Sequence, residues 1–263
     1  MAMSGSGLNY IIKDLCFSYG SLPCLDDINL TLEPGFLYGL VGPNGSGKST
    51  LLDLMSGHLR LGSGTISLKG KLLDRYSKKE LAKCLTSIPQ SFSFNFDFVV
   101  YDVVLMGRHP YIGKLAAPNK TDHLLVQQAL ELMGIEHLRD RSITKLSGGE
   151  KQRVIIARAL TQATEIVLLD EVTANLDINH TISIMKTMAE LVSQGHTVVA
   201  ALHDLNMALA FCDKVIVLKQ GQLHHFGDAS EVITTRMVKD IYQVPSEIVP
   251  ASDGHKQLHF NYR

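Results

Sequence analysis

Residues 42–50 are the feature that most constrains the fold of this chain. They read Gly-Pro-Asn-Gly-Ser-Gly-Lys-Ser-Thr and directly follow the apolar run Phe36–Val41. The spacing G-x-x-x-x-G-K-[ST], after a predicted strand and before a predicted helix, is that of a phosphate-binding loop. Glycines let successive backbone N–H groups turn toward a polyphosphate, and the start of the helix attracts the anion. The segment therefore predicts a polyphosphate site in an α/β protein.

The residues of this loop have separate predicted roles. Lys48 is expected to reach the terminal phosphates, and the hydroxyl of Ser49 is expected to bind Mg²⁺. The predicted ligand-binding residues of the loop are Gly42, Asn44, Gly45, Ser46, Gly47, Lys48, Ser49 and Thr50. A match to the pattern arises by chance in roughly one chain in a hundred of this length, so other segments must support the assignment.

Composition excludes several classes of protein. The 25 Lys and Arg residues nearly balance the 26 Asp and Glu residues without a dense basic run, so we do not expect nucleic acid as a partner. Four scattered cysteines favour reduced thiols in a cytosolic protein over disulfides or zinc. The first eight residues lack the apolar run of a signal peptide, and no window of 18 apolar residues follows. We therefore expect that nothing spans a membrane unaided.

Two predicted buried strands end in polar residues. Ile166–Leu169 is followed by Asp170 and Glu171, and Thr197–Leu202 is followed by His203. Strands that alternate with helices predict a mostly parallel sheet, with ligand sites at the carboxyl ends of its strands. Adjacent carboxylates at the end of a buried strand are costly unless they have a task, such as holding Mg²⁺ and polarising water.

Residues 91–158 change character and predict a helical insertion. Within it, Ser147 and Glu150 have the S-x-x-E pattern of a capping box at a helix start. Gly148 and Gly149 weaken that interpretation, because each glycine costs roughly 1 kcal/mol of helix propensity. A bare helix start with these glycines is a second potential phosphate site.

Two further segments leave alternatives open. Tyr19 stands beside a turn in the first β-rich stretch, where sequence alone favours core packing over a platform for a purine ring. Residues 229–263 are predicted to be a polar tail with one short helix, without a linker that would make it independent.

The order of these motifs resembles the nucleotide-binding subunits of ATP-binding-cassette (ABC) transporters. The series runs from GPNGSGKST through Gln90, LSGGE, IVLLDE and ANLD (Ala174–Asp177) to His203, and it covers nearly the whole chain. The resemblance implies an α/β fold with a RecA-like P-loop core, an N-terminal antiparallel β part and a helical insertion subdomain. The implied division is a nucleotide-binding core of residues 1–90 and 159–230, a helical signature subdomain of residues 91–158 and a tail of residues 231–263.

The resemblance also implies residue roles in ATP hydrolysis with Mg²⁺. Tyr19 would stack on adenine, which reverses the interpretation from sequence alone. Asp170 would hold Mg²⁺ through water, and Gln90 would touch Mg²⁺ and the attacking water. Glu171 would be the general base, and His203 would contact the γ-phosphate. The implied catalytic residues are Lys48, Gln90, Glu171 and His203, and the implied metal-binding residues are Ser49, Gln90 and Asp170.

The family works as a head-to-tail pair. Ser147, Gly148 and Gly149 of one subunit would therefore cover the ATP held by Lys48 of a second copy. Val172 stands where the family usually has proline, so we expect slowed or retuned hydrolysis at most. The signature carries glutamate in place of the commoner glutamine, which keeps the capping-box geometry.

Residues 101–111 resemble the importers that handle iron-siderophores, haem, cobalamin or molybdate. Exporters of the family usually carry fused membrane helices and a TEVGERG-like loop, whereas residues 139–145 read RDRSITK. The resemblance implies an energy-coupling subunit at the cytoplasmic face of the membrane, with separate permease subunits and a substrate-binding protein. The alternatives are an exporter subunit or a soluble ABC-type ATPase in DNA maintenance or translation. The compact interval between Gly42 and Leu146 and the single motif set favour the importer.

Phenylalanines alternate directly after Gln90, at positions 92, 94, 96 and 98. Such a run is either buried in the helical subdomain or lines a groove that receives a partner helix, and the sequence favours neither. We expect the permease to dock near Gln90 to Tyr111.

Overall fold

Strands and helices alternate over most of the chain, as the sequence predicted. The computed structural model describes residues 10–90, 97–113, 115–172, 176–250 and 256–261. The strands are β1 (Tyr10–Tyr19), β2 (Leu22–Leu32), β3 (Leu37–Val41), β4 (Ser63–Leu68), β5 (Lys71–Leu72), β6 (Leu85–Ile88), β7 (Ile166–Asp170), β8 (Thr197–Ala201), β9 (Lys214–Lys219), β10 (Gln222–Asp228), β11 (Ser246–Pro250) and β12 (Lys256–Phe260). The α-helices are α1 (Lys48–Met55), α2 (Lys78–Cys84), α3 (Val100–Leu105), α4 (Lys120–Leu132), α5 (Gly148–Thr161), α6 (Ile178–Ser193), α7 (Leu205–Phe211), α8 (Ala229–Val232) and α9 (Thr235–Tyr242).

The central sheet carries the turns in which the predicted site residues lie. Among the described residues, six strands form it in the order β10-β9-β3-β8-β7-β6. All neighbours are parallel except β10, which pairs antiparallel with β9 at one edge. On β3, Leu37 and Val41 join one apolar cluster, whereas Tyr38 and Leu40 join the other. Both faces of the sheet are therefore covered, which explains why its strands read as continuous apolar runs.

The second sheet is antiparallel, as the family resemblance implied. In the described part of the chain its order is β2-β1-β4-β5. On β2, Ile28, Leu30 and Leu32 are buried while the residues between them are exposed, as on a strand with one face on the core. These leucines and the isoleucine pack in the same cluster as Leu51 and Leu54 of α1. The packing anchors the helix that follows the phosphate loop.

The helical part consists of α3, α4, α5 and short 3₁₀ turns. Outside it, a capping box of Ser77 and Glu80 opens α2. Helix α4 begins directly after Asn119, whose side chain accepts hydrogen bonds from the amides of Thr121 and Asp122. Helix α5 runs to Thr161, past the predicted boundary at residue 158. The division of the chain into domains stays a prediction.

The C-terminal part differs from the prediction of a polar tail with one short helix. It contains α8, α9 and the hairpin of β11 and β12. Val238, Ile241 and Leu258 are buried in the same cluster as the central sheet. The prediction was wrong because the apolar residues here are separated by polar ones and form no long run, and the buried ones pack in a cluster with residues distant in sequence. Within the described ranges, no helix has the length and apolarity needed to cross a membrane.

Candidate functional site

The turns after β3, β6, β7 and β8 meet at one edge of the central sheet and line a common cavity. Its volume is about 400 Å³, within the range of small-molecule sites. Gln90, Glu171 and His203 contribute to its wall. The phosphate loop contributes Asn44, Gly45, Gly47, Lys48, Ser49 and Thr50. The structure thus brings together residues that the sequence placed at separate strand ends.

The backbone of the loop has the geometry that its glycines predict. Gly42 has φ +153°, and a Cβ atom there would overlap the Leu218 carbonyl group. Gly47 has φ +100° and precedes α1 without a side-chain cap, so amides of the first turn of the helix keep the capacity to bind an anion. Ser46 lines a separate cavity, and its buried hydroxyl has no hydrogen-bond partner among the residues that the structure describes.

Lys48 is held over the cavity by the loop itself. Its Nζ donates to the carbonyl oxygens of Gly42 at 3.0 Å and Pro43 at 3.2 Å. The same Nζ lies 3.7 Å from Oε1 of Glu171. Burial lowers the pKa of Lys48, and the nearby carboxylates of Glu171 and Asp170 oppose that shift. A polyphosphate would stabilise the ammonium in the same way, because opposite charge favours the charged form.

Ser49 and Asp170, the two predicted magnesium-binding residues outside Gln90, lie next to each other. The Ser49 hydroxyl donates to Oδ1 of Asp170 at 2.9 Å. Burial raises the pKa of Asp170, whereas the Ser49 hydrogen bond lowers it. Two neighbouring oxygens fit Mg²⁺, which prefers few protein ligands together with waters and substrate phosphates. Among the described residues, no group of three His, Cys, Asp or Glu side chains is placed to hold a metal.

Glu171 is the point at which the other predicted catalytic residues converge. Gln90 Nε2 donates to Oε2 of Glu171 at 2.7 Å, and His203 Nε2 lies 2.7 Å from the same oxygen. Oε1 faces Lys48. The Glu171 side chain is only 10% exposed, and its backbone has φ +49°. A non-glycine residue in the left-handed region is uncommon, and such backbone strain is found at active sites among other places.

Tyr19 lies at the rim of the site and not in the core. Its side chain is 50% exposed, and its hydroxyl lies 3.4 Å from Oγ1 of Thr50. The core interpretation from sequence alone is therefore wrong, and the exposed ring leaves a face for a base. Cys24 also lines the cavity and donates to Oγ1 of Thr50 at 3.3 Å. Sequence reasoning missed Cys24 because an isolated cysteine belongs to no nucleotide-binding pattern.

The second predicted phosphate site is not part of this cavity. Ser147 caps α5: its Oγ accepts a hydrogen bond from the Glu150 amide at 3.3 Å, and Oε2 of Glu150 accepts one from the Ser147 amide at 2.8 Å, so the predicted capping box is present. Hydrogen bonds from Ser147 lower the pKa of Glu150. Ser147 and Gly148 are exposed and Gly149 is half-buried, so all three are accessible to another molecule. Ala174 and the residue after it, and Phe92, Phe94 and Phe96, lie outside the described residues.

Comparison with known proteins identifies relatives of this chain. A family model described as ABC transporter matches residues 25–174. A hemin import ATP-binding protein of Thermobifida fusca (strain YX) is 40% identical over 90% of this chain and 83% of the relative. An iron(3+)-hydroxamate import ATP-binding protein of Bacillus subtilis (strain 168) is 36% identical over 95% of this chain and 93% of the relative. A solved structure described as an inward-facing, metal-chelate type ABC transporter is 29% identical, with a TM-score of 0.84 over 98% of each chain.

Proposed function

The chain belongs to the ABC transporter family, and on that basis we propose that it drives an importer for haem or another metal chelate. As a family member it binds and hydrolyses ATP. The cargo class is proposed because the hemin and hydroxamate import proteins are similar to this chain over most of its length. The observation that carries the ATPase assignment to particular residues is the convergence of Gln90, Lys48 and His203 on Glu171.

The geometry supports a separate role for each of these residues in ATP hydrolysis. Lys48 and the loop amides would bind the β- and γ-phosphates, which positions them and neutralises their charge. Because Lys48 Nζ already lies 3.7 Å from Glu171, phosphate oxygens would take over part of that ion pair when ATP binds. Glu171 would then orient the attacking water and accept its proton. Mg²⁺, held by Ser49 and by Asp170 through water, would neutralise charge on the phosphates.

We propose that a second copy of the chain completes the site. The exposed Ser147–Gly149 segment supports this, because a helix start that faces solvent can meet phosphates bound elsewhere. Lys48→Ala and Ser147→Arg subunits should each be inactive alone. In a mixture, one competent site per heterodimer should restore part of the ATPase activity. A mixture as inactive as both parents would mean that each ATP is served by one chain.

The docking site for a permease helix is proposed at a groove beside α2 and α3. The groove has a volume of about 640 Å³. Its apolar wall comes from Ala82, Leu105, Met106, Pro110 and Ile112. Lys78, Lys79 and Asp102 lie at its polar rim. An apolar groove with a polar rim suits an amphipathic helix of a partner.

Transport assays with the membrane subunits test this docking. Met106→Glu should reduce uptake of haem or ferric hydroxamate while ATP binding by the isolated subunit is unchanged. Leu124→Glu is the matched control, since Leu124 is an exposed apolar residue, 56% accessible, on α4 outside the groove. Equal uptake by both variants would contradict the docking site. Co-isolation of the protein with DNA or ribosomes, and not with a permease, would contradict the importer function.

A further inference from the structure

The turn that carries His203 is bounded by two elements. On one side, Asp204 caps α7 by accepting hydrogen bonds from the amides of Asn206 at 2.7 Å and Met207 at 3.4 Å. On the other side lies strand β12 of the C-terminal hairpin. The His203 side chain itself is 43% exposed, so packing does little to fix its position. Its placement against Glu171 therefore depends on the backbone of this turn.

Asn206 joins the turn to the hairpin through a reciprocal pair of hydrogen bonds. The amide of Leu258 donates to Oδ1 of Asn206 at 2.8 Å, and Nδ2 of Asn206 donates to the carbonyl oxygen of Leu258 at 3.1 Å. A carboxamide carries an N–H donor and a carbonyl acceptor at the spacing found in a peptide group. The Asn206 side chain therefore pairs with β12 as the backbone of a neighbouring strand would. Leu258 is 2% exposed and packs in the main core cluster, which makes the attachment point rigid.

We propose that Asn206 is a positioning residue for ATP hydrolysis, which fixes the His203 turn by pairing it with strand β12. The inference rests on the proposed role of His203 at the γ-phosphate. A cavity of about 510 Å³ lies between the turn and the strand and is lined by His203, Asn206, His259 and Phe260. Without the Asn206 bridge, the turn faces this space and has room to shift. Strand β12 thereby contributes to the position of His203.

The expected effect is on turnover and not on nucleotide binding. Misplacement of a catalytic group by about 1 Å can cost on the order of a hundredfold in rate. We therefore expect Asn206→Ala to lower kcat about tenfold to a hundredfold, with little change in KM for ATP. ADP affinity should not change, because His203 would contact only the γ-phosphate. Hydrogen exchange of the amides of residues 203–206 should become faster.

A double-mutant cycle on the full chain tests the proposal. If Asn206 acts through His203, adding Asn206→Ala to His203→Ala should lower kcat no further. Asn206→Asp, which keeps the acceptor but loses the donor to Leu258, gives a second variant if the alanine substitution impairs folding. Lys256→Ala is the matched control: its Nζ donates to the Ser230 carbonyl from the same strand, and kcat should be unchanged.

Three results would overturn the inference. One is an unchanged kcat in the folded Asn206 variants while His203→Ala is impaired. Another is an additive loss in the double variant, which would mean that Asn206 acts independently of His203. The third is unchanged turnover in His203→Ala itself, which contradicts the role proposed for His203 and removes the basis of the inference with it.

Discussion

The buried pair of Arg108 and Asp122 gives the clearest prediction about stability. Arg108 Nε donates to Oδ1 of Asp122 at 2.8 Å, and the two residues are 6% and 2% exposed. Arg108 Nη1 also donates to the carbonyl oxygen of Thr161 at 3.0 Å, and its guanidinium stacks on the ring of Tyr111 at 3.9 Å. The pair therefore joins the wall of the proposed docking groove to α4 and to the end of α5.

We predict that Asp122→Asn lowers the free energy of unfolding by about 3 kcal/mol. Removal of one partner from a buried ion pair costs about 3–5 kcal/mol, because the other charge stays buried. We use the low end of this range because the guanidinium of Arg108 keeps its contacts with the Thr161 carbonyl oxygen and the Tyr111 ring. For a chain of this size, a loss of about 3 kcal/mol lowers Tm by roughly 6 to 12 °C. Combining Arg108→Met with Asp122→Asn should recover most of the loss.

Urea unfolding of these variants measures the effect, with Asp240→Asn as the control. Asp240 pairs with Arg236 at 3.6 Å, but both side chains are exposed, so its loss should cost under about 0.5 kcal/mol. The Asn119 amide and Arg108 hold the pKa of Asp122 below its usual value. Ionised Asp122 therefore adds to the free energy of unfolding at pH values above the ordinary Asp pKa. This contribution is lost as the pH falls through the lowered pKa of Asp122 in the folded protein. A loss below about 1 kcal/mol in Asp122→Asn would refute the reasoning.

Three further predictions concern the nucleotide site. Gly42→Ala should abolish ATP binding in a titration, because its Cβ would overlap the Leu218 carbonyl in a backbone with φ +153°; a stable variant that binds ATP normally would contradict the loop geometry. Tyr19→Ala should weaken ATP affinity by about 1 kcal/mol while Tyr19→Phe retains it, and equal affinity of both variants would exclude stacking. Ser49→Ala should raise the Mg²⁺ concentration needed for half-maximal ATPase activity; an unchanged requirement would remove Ser49 as a ligand.

The sequence predicted those parts of the site that are marked by a pattern of neighbouring residues. The loop around Lys48 has a fixed spacing, and Glu171 and His203 directly follow apolar strands. Because parallel strands end at one edge, the sequence predicted that these residues would meet. It did not predict that Gln90 and His203 would share one oxygen of Glu171, since side-chain geometry depends on the register of β6, β7 and β8.

The parts that could not be predicted depend on contacts between distant segments. Sequence alone favours Tyr19 as a core residue because buried aromatics are common, whereas its contact with Thr50 joins strand β1 to helix α1 and has no local signal. The hairpin of β11 and β12 escaped prediction because Leu258 is buried by the central core, and Asn206 lies 52 residues before it. No local pattern in residues 246–260 indicates such a partner. The prediction for Phe94 and Phe96 concerns residues outside the described ranges and remains untested.

The most direct test of the account is the ATPase activity and ATP affinity of Glu171→Gln. Glutamine keeps the size of the side chain and can still contact Lys48, Gln90 and His203, but it cannot accept a proton from water. We expect steady-state hydrolysis to fall on the order of a hundredfold or more, while ATP is still bound with affinity close to that of the unaltered protein. Unchanged hydrolysis in Glu171→Gln would contradict the assignment of Glu171 as the base.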